Sequence, residues 1–524
     1  MKDNKEFKFK MDRRSFLSRS ACASMGIGSL VNTLAHLQLI DRAVANGINI
    51  GSDYKALICI FLRGGCDKNY FFRPIGTHPQ KAQYDSSRGI AKPDESDIVS
   101  AGTQILPANA ASGEQFGLHP NCTNMASMFN NGELAIVQNV GTLAEPTTLA
   151  SYQNGTAILP VQLFSHSNQV QEWMATAAEK PFTSGWAGAI STLINDTSNP
   201  NGLASMLITA AGNNNWLVSP GGGPAQYSVT SSGALSLVGY NSSNEPAYFD
   251  AIDPNTGNYR DNSQGDRLKA FERIMNYTHD HTLSEGYNEI VRRAREGEGL
   301  VGEALAHAQS LDGTGTGQVD FSGFPSTNLG GELGLIAQLI AGRRCLGNNR
   351  QVFFCDLGGF DNHAAINVNL PNLLNQVDDA VGHFNEVMKQ LAAADAEFSY
   401  DDFTCFEMSD FNRTFTPNGT AVNSNGTDHA WGTHAWCFGG AVANQHTGSS
   451  NLYGFYPDLN PNGTQSVNAR GRYIPTTSVD QYGSVLAEWF GVAPGDLSSI
   501  FPNLPRFTAP SDPAANLNFL DLTS

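Results

Sequence analysis

Two residues that follow a short apolar run have the types and spacing to hold a metal ion. Asp361 and His363 come after Val352–Leu357, which ends at Gly358-Gly359. The run is rich in β-formers and predicts a buried strand closed by a tight turn. Ligands gather at the carboxyl ends of strands in open α/β sheets, where a carboxylate and an imidazole can face one cation. Turn chemistry explains the same two residues without a metal, so both interpretations stay open.

A second carboxylate repeats this arrangement earlier in the chain. The apolar run Lys55–Leu62 predicts a central strand buried on both faces, and Arg63-Gly64-Gly65 leads from it to Asp67. An acid after a turn is commonly a solvated loop residue. Two strand–glycine–acid units in one chain nevertheless favour a shared metal site over two unrelated loop acids.

A third apolar run, Phe403–Met408, predicts a strand that is followed by more potential ligands. Asp410 comes directly after it, and a polar loop then carries Asp428, His429 and His434. Oxygen and nitrogen donors at a sheet edge suit zinc, manganese, magnesium or calcium ions. The chain has no thiolate cluster that would indicate a softer metal.

Ser165 and His166 begin a segment with a helical pattern. Ser165 is suited to cap that helix, but a serine at a helix N-terminus also suits a nucleophile, because free backbone N–H groups stabilise an oxyanion there. His166 can act as a ligand or as a proton carrier. The spacing leaves these alternatives open.

The elements that must position these residues alternate between strands and helices. Met125–Asn130 and Leu134–Val140 predict a helix and a strand, and further helices are predicted over Asp266–Gln309, Gly331–Arg344 and Leu373–Leu391. From residue 185 to about 331 the chain is rich in Asn, Gly and Ser, which indicates an insertion or cap; Ala204–Ala210 and Ala234–Tyr240 in it are strand-like. His279-Asp280-His281 lies at the polar end of a helix and is interpreted as a solvated face.

The N-terminus has the layout of a twin-arginine export signal. Met11–Leu17 reads M-D-R-R-S-F-L, and a short apolar segment then ends at Ala43-Val44-Ala45. We therefore expect a signal peptide over residues 1–45, recognition by the twin-arginine export machinery and a periplasmic protein that begins near Asn46. The apolar segment is too short and too interrupted for a permanent membrane span.

The composition excludes several classes of function. The 524 residues carry 31 basic and 49 acidic side chains, a net charge of −18, which is unsuited to binding nucleic acid or anionic lipid. The 40% hydrophobic residues are sufficient for a large core. The 8 cysteines are scattered without a C-x-x-C pair, which argues against a disulfide scaffold; Cys59, Cys355 and Cys405 are expected in the core.

Taken in order, these motifs resemble the exported family 1501 of the domains of unknown function. The motifs are the twin-arginine start, F-L-R-G-G-x-D, L-H-P, F-S-H-S-N-Q, L-G-G-F-D-N-H, M-S-D-F-N-R-T and G-T-D-H-A-W-G-T-H. That family is similar to the alkaline phosphatase and sulfatase superfamily. The resemblance implies a single α/β domain over residues 46–524, with an alkaline-phosphatase-like central mixed sheet flanked by helices on both faces and a polar cap. It also implies one or two divalent metal ions held by Asp and His at strand ends.

The resemblance assigns roles residue by residue. Asp67 corresponds to the first-strand ligand and Ser165 to the nucleophile region, whereas Asp361 with His363, Asp428 with His429, and His434 correspond to later ligands. The family usually has Glu where this chain has Asp410, and often Gly where it has Lys68, but a shorter carboxylate still binds metal. The superfamily's usual Asp-x-x-x-His is here Asp-x-His.

The sequence therefore predicts an exported metal-dependent hydrolase that acts on a small anionic phosphate or sulfate ester. Ser165 and His166 are the expected catalytic residues, and Arg63, Lys68 and Arg413 are expected to meet the anionic oxygens. The alternative is an exported scaffold or binding protein that is stabilised by its metals. An open coordination position favours the enzyme, whereas a site closed by protein donors favours the scaffold.

Overall fold

The structure is a computed structural model that describes most of the chain after residue 53. The described residues are 54–107, 114–175, 177–200, 202–221, 223–230, 233–234, 240, 248–253, 256–275, 282–443, 451–507 and 517–523. For residues 282–296 the structure describes the backbone and, of the side chains, that of residue 291. The predicted signal peptide, His279-Asp280-His281 and most of the predicted strand-like piece Ala234–Tyr240 lie outside these residues.

The strands occupy the apolar runs that the sequence marks. They are β1 Lys55–Leu62, β2 Phe72–Pro74, β3 Gln104–Ile105, β4 Phe116–Leu118, β5 Leu134–Gly141, β6 Leu207–Thr209, β7 Tyr227–Ser228, β8 Arg350–Leu357, β9 Phe403–Ser409, β10 Thr433–Phe438, β11 Leu452–Gly454 and β12 Thr477–Ser478. The four predicted strands that correspond to β1, β5, β8 and β9 are confirmed within one or two residues. These runs are buried along almost their whole length, as a central sheet requires.

Nine of these strands form one mostly parallel sheet. Its order is β11-β5-β10-β9-β1-β8-β6-β7, with β12 paired to β5, and β10 runs antiparallel to both of its neighbours. β2, β3 and β4 form a separate three-stranded sheet. β6 and β7 belong to the main sheet although they fall in the polar region predicted as a cap, because β6 pairs directly with β8.

The predicted helices are present with differences in their bounds: Ile366–Ala394 begins seven residues before the predicted Leu373, and Ser263–Met275 and Thr282–Leu311 replace the single helix predicted over Asp266–Gln309. Fourteen α-helices occur in the described residues. They are α1 Lys68–Phe71, α2 Lys81–Arg88, α3 Glu95–Ala101, α4 Thr123–Asn130, α5 Leu149–Gln153, α6 His166–Met174, α7 Trp186–Ser198, α8 Ser263–Met275, α9 Thr282–Leu311, α10 Asn328–Ala341, α11 Arg343–Leu346, α12 Ile366–Ala394, α13 Val479–Phe490 and α14 Leu497–Ile500. The described residues also contain four short 3-10 helices, over Phe321–Gly323, Tyr400–Asp402, Pro494–Asp496 and Leu504–Phe507.

Helices cover both faces of the main sheet. Phe61 of β1 belongs to a buried cluster with Trp186 of α7 and Tyr482 of α13. On the other face, Phe384 of α12 packs edge-on against Phe403, with ring centroids 5.8 Å apart. The expectation of a mixed α/β fold with a helix-flanked central sheet is confirmed. Cys59, Cys355 and Cys405 are buried free thiols, as expected of core residues.

The chain divides into two compact units. Residues 232–302 contribute to one unit, in which Tyr240, Tyr248, Ala251, Ile252 and Leu268 form a small buried cluster. Residues 48–231 and 303–524 make up the other, which holds the nine-stranded sheet. Within the described part of the chain, no helix combines the length and apolarity needed to cross a bilayer.

Candidate metal centre

Loops from four strands meet at one edge of the main sheet. In the parallel register Leu62 pairs with both Leu357 and Ser409, so β1, β8 and β9 end at the same level. The loops that follow these three strands therefore leave from one edge. β10 runs in the opposite direction, so the loop that precedes Thr433 arrives at that edge as well.

Three imidazoles and one carboxylate converge at this edge. They belong to His166, at the start of α6, and to Asp361, His363 and His429 from the loops; we call them the His/Asp cluster. The Asp361 Oδ1 atom lies 3.4 Å from His166 Nε2, 3.0 Å from His363 Nε2 and 3.7 Å from His429 Nε2. His363 Nε2 and His429 Nε2 are 3.1 Å apart. His166, Asp361 and His429 can place one ligand atom each within 4.8 Å of one another.

Each imidazole of the cluster is anchored through its other nitrogen. His166 Nδ1 lies 2.7 Å from Asp410 Oδ2, His363 Nδ1 lies 2.9 Å from Asp428 Oδ1, and His429 Nδ1 lies 2.8 Å from the carbonyl oxygen of Phe164. A carbonyl or carboxylate oxygen accepts, so each imidazole donates from Nδ1 when neutral. The lone pairs on the three Nε2 atoms then face the cluster, which is the tautomer that a metal-binding histidine needs.

The groups around the cluster shift the pKa values of His166 and His429 in opposite directions. The hydrogen bond with Asp410 raises the pKa of His166, whereas burial and the nearby cations lower the pKa of His429. Partial burial opposes ionisation of Asp428, but hydrogen bonds from Arg470 and His363 outweigh it and lower the pKa of Asp428 to about 2. Asp428 is therefore a permanent carboxylate behind His363.

Arg413 connects the loops of the cluster through its hydrogen bonds. Its side chain is fully buried and donates to the carbonyl oxygens of Gly64, Gly65, Phe360 and Thr427. The same guanidinium also contacts Asp361 and lies 3.5 Å from His363 Nε2. Its donors are committed to the protein, so Arg413 positions the cluster and has little left to offer an anionic substrate.

Two glycines allow the loops to approach each other closely. Gly64 has a φ of +109°, and a Cβ atom there would lie 2.6 Å from the backbone nitrogen of Asp361. A Cβ atom on Gly426 would lie 2.1 Å from the carbonyl carbon of His363. Any side chain at either position displaces a residue of the His/Asp cluster.

Asp67 is not brought into the His/Asp cluster. Its buried carboxylate caps α1 by accepting from the backbone N–H of Tyr70 at 3.1 Å. It also forms a 3.0 Å ion pair with the buried Arg88 and accepts from the hydroxyl of Thr427. The carboxylate thus ties the loop after β1 to α2 and to the loop before β10.

The other two cations predicted to bind substrate are paired with acids. Lys68 is buried and lies 3.0 Å from the equally buried Glu407, with its ammonium over the ring of Trp436. Arg63 is partly exposed and donates to Asp356. Both side chains are occupied by protein partners in this structure.

His434 and Ser165 have contacts of their own. His434 is buried and stacks on Tyr456 with ring centroids 5.3 Å apart, and burial lowers its pKa to about 3, so the ring is neutral. Ser165 stands at the N-cap position of α6, but its hydroxyl donates to Asn168 at 3.1 Å and does not cap the helix. Ser165 lies in the chain between Phe164, whose carbonyl oxygen contacts His429, and His166 of the cluster.

Phe164 and Arg470 support the site but were not predicted from the sequence. Phe164 has a φ of +77°, in the left-handed region that glycine usually occupies. In this conformation its carbonyl oxygen accepts a hydrogen bond from His429 Nδ1. Arg470 donates to Asp428 and to Thr416. The sequence signal that points to this region is the spacing R-G-R over residues 470–472.

Part of the chain matches a protein family of unknown function. Residues 239–492 match the model of the family described as "Protein of unknown function (DUF1501)". The match includes Asp361, His363 and His429 but not His166. No curated protein and no solved structure matches the chain. The match supports the family named from the motifs and carries no activity with it.

Proposed function

We propose that the His/Asp cluster binds a divalent metal ion and that the protein is an exported, periplasmic metal-dependent hydrolase of phosphate or sulfate esters. The observation that carries this proposal is the convergence of three imidazole Nε2 atoms and one carboxylate oxygen at a sheet edge. Because every Nδ1 of the three rings meets a fixed acceptor, the Nε2 lone pairs are oriented before any ligand arrives.

The spacing of the donors fits a metal ion. Nitrogen and oxygen ligands about 2.0–2.1 Å from a tetrahedral zinc ion lie about 3.4 Å from one another. Four of the six distances between donor atoms of the cluster run from 3.0 to 3.7 Å. His166 Nε2 is also buried and makes no hydrogen bond with a described residue. A lone pair in that position is explained if it faces a cation.

The exposure of the histidines supports a division of roles. His166, Asp361 and His429 would be the ligands, whereas His363 would carry protons. The side chain of His363 is 44% exposed, against 33% for His166 and 25% for His429. Asp428 stays ionised behind His363 and accepts from its Nδ1 atom, which is the arrangement of a carboxylate that orients a general base.

A bound divalent ion would supply a Lewis acid that polarises the ester and lowers the pKa of the nucleophile. The chain contributes the rest of the chemistry. His363 accepts the proton of the nucleophile at Nε2 and returns it to the leaving group, while Asp428 fixes the ring. The nucleophile is either water or the hydroxyl of Ser165, which lies next to His166 in the chain. The resemblance to the phosphatase and sulfatase superfamily supports phosphate or sulfate esters as substrates.

A second candidate is a metal-stabilised scaffold or binding protein. The observation that favours it is the position of His363 Nε2, which is as close to Asp361 and His429 as a fourth ligand would be. Four protein donors close a tetrahedral site and leave no position for a substrate. The role of His363 therefore separates the two functions.

The test compares the wild-type protein with H363Q, purified from the periplasm, by metal analysis and by turnover on aryl phosphates and sulfates. The enzyme predicts that H363Q keeps its metal and loses about 10²- to 10⁴-fold in turnover, the usual contribution of a general base. H383Q is a matched control, because His383 bonds the carbonyl of Asp320 and is not part of the cluster. Metal lost from H363Q, together with an inert wild type, would favour the scaffold.

A further inference from the structure

Among the described residues, the Arg472 guanidinium has no hydrogen-bonding or ion-pair partner. Its Nε atom is buried without an acceptor. The guanidinium carbon lies over the ring of Phe164, 4.3 Å from its centroid. A buried donor without an acceptor is destabilising, so this arrangement calls for an acceptor from outside the chain.

The surroundings of Arg472 are positively charged. Burial and the charge of Arg470 lower the pKa of Arg472, and Asp428, the acid that opposes this effect, is already bonded by Arg470 and His363. Asp428 thus attracts both arginines but forms an ion pair with Arg470. An added anion at this place would neutralise charge that the protein leaves uncompensated.

The position of Arg472 relates it to the His/Asp cluster. Phe164, on which its guanidinium stacks, holds His429 through its carbonyl oxygen. Asp428, which Arg470 binds, holds His363. Each of the two arginines therefore contacts a residue that holds a histidine of the cluster. Arg63, Lys68 and Arg413 are instead bonded to other groups of the protein.

We propose that Arg472, beside Arg470 and stacked on Phe164, is a subsite for a tetrahedral oxyanion, the chemistry that a phosphate and a sulfate group share. A planar guanidinium presents paired donors that match two oxygens of such a group. The contact with the ring of Phe164 holds the guanidinium in place before the anion arrives. This inference goes beyond the proposed function, because the subsite binds an anion whether or not the cluster hydrolyses an ester.

The experiment measures binding of inorganic phosphate, and separately of sulfate, to chelator-treated full-length protein by titration calorimetry at constant ionic strength. Removing metal first ensures that the anion is not bound through the ion. The wild type is expected to bind the anion, and R472M is expected to bind it at least tenfold more weakly. R344M is the matched control, since Arg344 is paired with Asp395 and Glu397, and its affinity is expected to equal that of the wild type.

The two anions and a second variant complete the test. Tighter binding of phosphate than of sulfate would assign the subsite to phosphate groups, and the reverse order would assign it to sulfate groups. If R472M does not fold, R472Q replaces it with the same expected loss. A wild type that binds neither anion, or an Arg472 variant that binds as well as the wild type, overturns the proposal. Anion binding by a protein inert toward all esters would refute the hydrolase and leave the subsite standing.

Discussion

Replacing Asp410 with asparagine removes one acceptor from behind His166. The carboxylate is buried and uses both oxygens: Oδ1 accepts from the backbone N–H of Gly64 at 3.0 Å, and Oδ2 accepts from His166 Nδ1 at 2.7 Å. Asparagine offers one oxygen and one NH₂ group to these two donors. If the oxygen stays with Gly64, the NH₂ group faces His166 and forces its proton onto Nε2, where a metal ligand must have a lone pair.

The size of the effect follows from the bond that is lost. A hydrogen bond to a charged group contributes about 1.5–3 kcal/mol, and each 1.4 kcal/mol is tenfold in an equilibrium constant. We therefore expect D410N to bind metal about 10- to 100-fold more weakly, the range typical of residues that orient a metal-binding histidine. The replacement is isosteric, so the fold is expected to survive.

The assay is a competition titration of purified wild-type and D410N protein with zinc and a chelator of known affinity. D378N is the control, because Asp378 is also buried and accepts backbone N–H groups, from Asn124 and Met125, without contacting the cluster. It is expected to leave zinc affinity unchanged. Equal zinc affinity of D410N and the wild type, with both folded, would refute the role given to His166.

Three further predictions concern other parts of the structure. S165A separates the two nucleophiles: loss of ester turnover by orders of magnitude, with unchanged metal content, identifies the hydroxyl, whereas retained turnover identifies water. G426A is expected to lower the melting temperature and the metal content together, because its Cβ atom would collide with the backbone of His363; equal values in both measurements would contradict this packing. Burial raises the pKa of Asp480 to about 8, so the folded state binds a proton that the unfolded state has released, and stability falls by up to about 1.4 kcal/mol per pH unit between the ordinary Asp pKa and 8. D480N is expected to melt higher than the wild type at pH 8 and to lose this advantage near pH 4; a difference that does not change with pH would show that Asp480 does not titrate in this range.

The loops of the cluster could be located from sequence because the strands before them are unusually clear. β1, β8 and β9 are mostly apolar runs; Gly358 directly follows β8, and Gly64 follows β1 after Arg63. Parallel strands bring their carboxyl ends to one edge, so Asp361 and the segment after β9 were expected there. His363 and His429 follow from the same reasoning, and the structure brings them together with Asp361.

Partner choice could not be read from the sequence, because it depends on which distant side chains are buried together. Asp67 follows a strand and a glycine turn, as a metal-binding acid would, yet it forms an ion pair with Arg88 of α2. Nothing in the sequence of α2 predicts that pairing. Lys68 likewise meets Glu407 on β9. Burial lowers the pKa of His434 to about 3, and Tyr456, on which the imidazole stacks, comes from a distant part of the chain.

The roles of Asp410 and Asp428 could not be predicted from the sequence either. Asp410 and Asp428 were predicted to bind metal directly, whereas in the structure each contacts the Nδ1 atom of a histidine. His166, which the sequence left open as a ligand or a proton carrier, has its Nε2 atom 3.4 Å from Asp361 Oδ1, among the candidate ligands. Carboxylates that bind a metal and carboxylates that orient a histidine have the same residue type and loop position, so only the three-dimensional arrangement distinguishes them.

The way Arg413 is bonded affects how this site can change during evolution. Most of its partners are main-chain carbonyl oxygens, which every amino acid possesses. The side chains of Phe360 and Thr427 do not enter these bonds, so an exchange at either buried position changes the packing beneath the cluster while the bond that secures the loop remains. Arg413 itself has no such freedom, since its loss would release the loops after β1 and β8 and the loop before β10 at the same time. Among related proteins, Arg413 is thus expected to be kept more strictly than Phe360.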